Sequence, residues 1–194
     1  MNVNGPRIAL ISPQVIGDKF QVRKAQPPLG IAYLAGLLEE KGYRNNVLCL
    51  DAVVEGYDFI VELKDDPNFV KYGLSDEAIV QRLERFEPDL VGITSLFSSM
   101  TECAFSVAKS VKERFPTVPL VMGGNHASNT AESILRDIPA VDFILKGEAE
   151  YSFLEFVNKF FSDEEVVIVN GGPQTSQDFA GLPFDHLLFT GSTN

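Results

Sequence analysis

Short apolar runs alternate with longer stretches in which apolar residues recur every three or four positions, and the alternation repeats five times along the chain. Arg7 to Ser12 (RIALIS), Asn46 to Val54 (NVLCLDAVV), Asp89 to Phe97 (DLVGITSLF), Leu120 to Met122 and Val141 to Leu145 have the character of strands covered on both faces. Between them, Leu29 to Lys41 places Ile31, Leu34, Ala35 and Leu38 on one helical face, with Gly42 as a stop. Ser75 caps a helix in which Ile79, Leu83 and Phe86 share a face before Pro88. Met100 to Phe115 turns Ala104, Val107, Ala108, Val111 and Phe115 inward, a short helix covers Thr130 to Asp137, and Tyr151 to Phe161 groups Phe153, Phe156, Val157 and Phe160. Five strand and helix pairs predict an α/β fold: a doubly wound, mainly parallel five-stranded sheet, flavodoxin-like (Rossmann-like), with helices on both faces.

Two stretches break this rhythm. A polar loop, Gln14 to Gln26, follows the first strand and carries Asp18, Lys19, Arg23 and Lys24. Residues 55–74 form an insertion that is long for a connection in such a fold and mixes aromatics with charge. It is either an ordered lid or partner contact, or a surface excursion packing its own aromatics. The expected organisation is one domain over residues 1–162 and an extension or linker over 163–194.

Composition narrows the function classes. The 194 residues are 45% hydrophobic and 22% charged, enough for a full core, and the net charge of −11 with a pI near 4.6 disfavours nucleic acid as a partner. Cys49 and Cys103 lack metal-ligand spacing and are expected as small buried hydrophobes in a reducing compartment. No run approaches the roughly 20 apolar residues of a membrane span. A soluble cytoplasmic protein, with no membrane partner, is the expectation.

Candidate chemistry lies at the strand ends. In LVMGGNHAS (Leu120 to Ser128), Gly123 and Gly124 close an apolar run and Asn125 and His126 follow. Paired glycines at a strand end let another body approach bare backbone, and in an open parallel sheet that edge is the ligand crevice. The preceding strand ends in Thr94, Ser95 and Leu96, and Val141 to Leu145 runs into Gly147 and Glu148. Thr94 on its own fits a core hydroxyl bonded to backbone. Glu148 on its own fits a helix start, where acids complement the dipole. Ser12 ends the first strand and Asp51 stands near the end of the second, at the same edge.

The pairing of Thr94-x-Leu96 with Gly123-Gly124 resembles the cobalamin-binding domain, whose hallmark is a DxHxxG loop after the first strand, then S/TxL, then GG. PPLGIAYLAGLLEEKGY, PDLVGITSL, VMGGNHAS and VDFILKGEAEYSFLEFV resemble in order and spacing the modules found at the N-terminus of radical S-adenosylmethionine enzymes, over about Arg7 to Phe161. The resemblance implies that the nucleotide tail of cobalamin enters a slot beside the sheet. Ser12, Thr94, Ser95, Leu96, Gly123, Gly124, Asn125, His126, Gly147 and Glu148 are then the candidate cofactor-binding residues. The loop PQVIGDKFQVRKAQ holds no histidine, so the lower axial ligand of better-known members is absent. His126 belongs to the GGxHA pattern of this branch and is expected to support a helix start by a local hydrogen bond, not to bind metal. Cobalamin is therefore expected base-off, with no protein metal ligand.

The tail admits two resemblances. DFAGLPFDHLL resembles the linker that leads from the module to the radical enzyme barrel, and this reading is preferred because it continues the resemblance upstream. Residues 166–193, VVIVNGGPQTSQDFAGLPFDHLLFTGST, also resemble a cofactor-binding segment of aldehyde dehydrogenases that ends in FTGS. No CxxxCxxC run is present to hold an iron–sulfur cluster, and neither histidine forms a recognisable triad. The chain is thus expected to bind rather than to catalyse. Iron–sulfur cluster, S-adenosylmethionine and the methyl transfer or ring formation itself belong to a catalytic domain outside it, covalent or adjacent. The alternative is a nucleotide-binding or signalling flavodoxin-like domain. No GxGxxG or GxxxxGK loop follows the first strand, and Ser12-Pro13 stands where a response regulator carries acids.

Overall fold

The computed structural model describes residues 5–162 and the strand Leu187–Phe189. The main sheet is built on β1 (Ile8–Ser12), whose five residues are all buried because parallel neighbours flank it on both sides: β3 (Val47–Asp51) and β6 (Leu90–Thr94). β7 (Leu120–Gly123) and β8 (Phe143–Leu145) continue the parallel array, and β9 (Leu187–Phe189) adds an antiparallel edge. The order β3-β1-β6-β7-β8-β9 contains, in its five parallel strands, the flavodoxin-like order expected from the alternation.

Helices cover both faces. α3 (Asp76–Phe86), α4 (Thr101–Arg114) and α6 (Ala131–Asp137) close one face with Ile79, Leu83, Val107, Val111 and Ile134 over Ile11, Ile93 and Met122. α1 (Leu29–Leu38) and α7 (Glu150–Phe160) cover the other, where Ile31, Leu38, Phe153 and Phe156 meet Leu10, Val121 and Phe143. α1 ends in a wider turn whose Gly42 adopts φ of 106°, the left-handed stop predicted there. The Ser75 hydroxyl accepts from the Ala78 amide, also as predicted.

Several expectations need correction. The polar loop after β1 contains a strand, β2 (Val15–Asp18), and the insertion contains two more, β4 (Ile60–Glu62) and β5 (Phe69–Tyr72). Together they form a separate antiparallel sheet of order β2-β5-β4. Its strands are four residues or fewer and pair across a long sequence separation, Val15 with Tyr72, so neither stretch carries a strong strand signal of its own. The second strand stops at Asp51. Its carboxylate accepts from the amides of Val53 (3.0 Å) and Val54 (3.2 Å) and caps a single-turn helix, α2 (Ala52–Glu55). A further helix that was not expected, α5 (Asn125–Asn129), starts directly after the paired glycines, ahead of α6, which is the short helix expected over Thr130 to Asp137. Cys103 is buried as expected, and burial pushes its thiol up to about 11. Cys49 is exposed, because β3 is the edge strand of the sheet. Apart from β9, the tail 163–194 lies outside the described residues. Among the described residues no helix is long and apolar enough to cross a membrane.

Candidate functional site

β1 and β6 are neighbours in space, but the chain leaves β1 towards β3 before returning to β6, so the order of the sheet reverses between them. Ligands of open α/β sheets lie beyond the carboxyl ends of the strands at such a point. A cavity of about 260 Å³ opens there, on the face covered by α1 and α7. Its floor is Leu10, Gly92, Ile93, Val121 and Leu145 of four parallel strands, and Ile31, Leu34 and Phe153 close it from the helices. Thr94, Leu96, Gly123, Gly124, Asn125, Gly147 and Glu148, seven of the ten candidate residues, line its mouth.

The backbone explains why glycine stands where it does. Gly124 has φ of 102°, and a Cβ there would lie 2.7 Å from the Ser95 carbonyl oxygen and 3.1 Å from Thr94 Oγ1. Thr94 and Gly123 are register partners across β6 and β7, so the two motifs face one another as the sequence implied. Gly123 is different: a Cβ there would meet only the Leu145 carbonyl, at 3.7 Å, and would otherwise enter the slot. Gly147 has φ of 73° and donates its amide to Ser128 Oγ (2.9 Å), which itself donates to the Gly124 carbonyl (2.9 Å). Ser128 thereby ties the two glycine walls together.

Three candidates lie elsewhere. Ser95 is 1% exposed. Its carbonyl accepts from the amides of His126 (3.1 Å) and Ala127 (3.4 Å) and fixes the start of α5, while its buried hydroxyl has no partner among the described residues. His126 does not line the slot; its Nδ1 lies 3.0 Å from Ser98 Oγ. Ser12 lines a broader crevice of about 740 Å³ that adjoins the slot through Gly30 and Leu96. Asp51 lines that crevice too, with its carboxylate engaged in the α2 cap. Among the described residues, no group of three or more His, Cys, Asp or Glu is placed to hold a metal ion.

Residues not anticipated from the sequence include Gly30, Gly92, Ser128, Glu150 and Phe153. Gly30 follows Pro27-Pro28 at the helix start, and a Cβ there would meet nothing within 4 Å, so it leaves space at the mouth. Gly92 interrupts an apolar strand, which is itself a signal of close approach; the Leu10 side chain fills the position, 2.9 Å from where a Cβ would stand. Ser128 gave no signal, since its partner is 19 residues away.

The slot fits a flat, largely neutral guest. Its walls are apolar below and carry hydroxyl, amide and backbone groups above, with carboxylates at Glu148 and Glu150 and no lysine or arginine. A phosphate deep in it would meet no cation, whereas a heteroaromatic base with ribose hydroxyls would meet apolar walls and acceptors. The volume is just below the ~300–1,000 Å³ of whole-ligand pockets. A wider crevice, of about 740 Å³, lies beside it.

Fold and site thus define a doubly wound α/β domain with a small-molecule slot at its switch point. A family model of the B12 binding domain matches residues 20–157. The chain belongs to that family, and its domain is similar to those of cobalamin-dependent radical S-adenosylmethionine methyltransferases. It is 34% identical over 163 residues to cytidylyl-2-hydroxyethylphosphonate methyltransferase of Streptomyces wedmorensis, covering 82% of this chain and 30% of that protein. It is 34% identical over 77 residues to the cobalamin-dependent radical SAM methyltransferase TokK of Streptomyces tokunonensis, covering 40% of this chain and 11% of that one. The solved cobalamin-dependent S-adenosylmethionine radical enzyme OxsB with aqua-cobalamin bound shares the fold, with a TM-score of 0.59 at 14% identity, over 98% of this chain and 23% of that one. A probable coniferyl aldehyde dehydrogenase of Caulobacter vibrioides is 56% identical over 36 residues, 19% of this chain and 7% of that protein. The second resemblance noted for the tail is to the same class of enzyme. The chain spans less than a third of the length of each of these relatives.

Proposed function

We propose that this chain seats cobalamin with its nucleotide tail in the slot and its corrin ring over the adjoining crevice, as the cofactor module of a radical S-adenosylmethionine enzyme. The observation that carries the reading is the cation-free slot at the switch point, open at Gly30 and Gly123 and bounded by Thr94 and Gly124. Of the residues that line the slot, Thr94 Oγ1 would offer a hydrogen bond to a nitrogen of the base, Glu148 and Glu150 would accept from ribose hydroxyls, and Leu10, Val121 and Phe153 would exclude water from the base. The bound cofactor supplies the cobalt centre that carries a methyl group or redox equivalents. With its tail in the slot the cofactor would be held base-off, and His126, the histidine among the described residues, would not reach the metal, since it is paired with Ser98 and lies outside the slot. The iron–sulfur cluster, S-adenosylmethionine and the methyl transfer or ring formation belong to a catalytic domain, covalent or adjacent. The net charge of −11 works against nucleic acid or an anionic membrane surface as partner, and the module is placed in the cytoplasm with its radical enzyme.

Titration of the protein with hydroxocobalamin, followed by visible absorption and calorimetry, tests this. One equivalent should bind with a base-off spectrum that His126→Ala leaves unchanged. Absence of binding would sink the reading, and an imidazole-coordinated spectrum lost in His126→Ala would overturn its base-off, histidine-free part.

A further inference from the structure

Between β2 and α1 the chain runs along the crevice, and residues 21–24 and 26–30 line it. This is the stretch that replaces a histidine-bearing loop, yet its backbone is held at two points. The Tyr72 hydroxyl donates to the Lys24 carbonyl (3.1 Å) and accepts from the Lys24 amide (3.3 Å). The Tyr57 hydroxyl donates to the Arg23 carbonyl (3.0 Å), the Arg23 guanidinium lies 4.4 Å from the Tyr57 ring centroid, and it donates back to the Tyr57 carbonyl. The two rings meet edge to face at 6.4 Å. Tyr72 is 4% exposed and lies over Gly17, where a Cβ would come within 3.1 Å of its ring.

Both tyrosines come from the insertion, and its ends are cinched. The Leu74 amide donates to the Ala52 carbonyl (2.7 Å), and a Cβ on Gly56 would lie 2.1 Å from the Leu74 nitrogen. Gly73 adopts φ of 122° against the Ala52 carbonyl. At the other end of the loop, buried Gln14 donates to Asp76 Oδ1 (2.6 Å), and Ser106 donates to the same carboxylate. Val22 (87% exposed) of the braced segment, Leu29 (61%) at the start of α1, Phe97 (61%) and Leu96 (38%) give the crevice apolar lining. Exposed apolar side chains lining a crevice leave apolar surface for a guest to cover.

We propose that Tyr57 and Tyr72 are positioning residues that hold residues 21–28 as a preformed seat for the corrin ring, the insertion of residues 55–74 bracing mechanically what an axial histidine would fix by coordination. The proposal rests on the cobalamin reading and adds to it a role for the insertion. Preorganisation of this kind raises affinity by removing the cost of ordering the loop on binding.

The test compares wild type, Tyr57→Phe and Tyr72→Phe in binding hydroxocobalamin and cobinamide, the corrin without a nucleotide tail, alongside limited trypsin digestion. Each variant keeps its ring and loses one hydroxyl. Tyr57→Phe, which loses one neutral hydrogen bond, should bind both corrinoids about fivefold more weakly, and Tyr72→Phe, which loses two, should weaken by at least as much. Trypsin should cut faster after Arg23 and Lys24. Circular dichroism and melting of Tyr57→Phe report that the main sheet is intact, so that loosening of the loop is read by itself. Wild-type affinity for cobinamide together with an unchanged digestion rate in both variants would overturn the brace while leaving the cofactor reading in place. A wild type that binds neither corrinoid removes that reading, and the seat with it.

Discussion

The two faces of the main sheet take side chains from the same strands, but one is packed shut and the other is open at its upper end. On the closed face α3, α4 and α6 press alanines such as Ala104, Ala108 and Ala131 against Ile11, Ile93 and Met122. On the open face α1 and α7 pack Leu38, Phe153 and Phe156 against β1, β7 and β8, and the upper end, near Gly30 and Gly123, is left as the slot. Small residues therefore act in two ways. An alanine with a helix behind it brings two elements together, whereas a glycine with nothing behind it leaves room for a guest.

The largest expected effect breaks the closed face. Leu83→Ala removes a fully buried side chain and should cost ~2–5 kcal/mol of stability in denaturant unfolding, with corrinoid affinity of the folded protein unchanged. Altered affinity would show that the faces are coupled. Next, Gly123→Val fills the slot where the backbone has room for a side chain. Cobalamin should bind at least about tenfold more weakly, while the melting temperature and cobinamide affinity hold. Equal loss for both corrinoids would place the tail elsewhere.

Ser128→Ala is milder, since it cuts the Gly124–Ser128–Gly147 link between the slot walls. It should lower cobalamin affinity or stability by about 1 kcal/mol, read by calorimetry and melting. The smallest test concerns the thiols. Ellman's reagent should label Cys49 in the native protein and Cys103 only after unfolding. Because burial raises the Cys103 thiol above its ordinary value of 9.0, its share of stability is complete below about pH 9. It is lost as the pH rises towards about 11. Cys103→Ala should flatten that loss in alkaline unfolding curves.

Much of this was legible in the chain itself. The buried strands and amphipathic helices announce themselves because hydrophobic periodicity is local, and their alternation implies parallel strands joined by right-handed crossovers. Thr94, Gly123 and Gly124 were legible for the same reason: strand ends and glycine pairs are short-range signals. The second sheet was not, since Val15 and Tyr72 gain strand character only from each other. Cys49 misled because an apolar run does not say whether its strand is central or at an edge.

The sequence by itself determined the layered α/β architecture, the edge at which the slot opens, the absence of a histidine from the loop after the first strand and the resemblance to cobalamin-binding domains. Only the tertiary structure decided which of the glycines leave real space, that His126 is spent on Ser98, that Ser128 links two walls, and that the insertion grips the loop through Tyr57 and Tyr72. The division has a physical cause. Backbone periodicity and turn chemistry are written within a few neighbouring residues, whereas a cavity is the absence of atoms from several distant segments at once, and it exists only when those segments are packed.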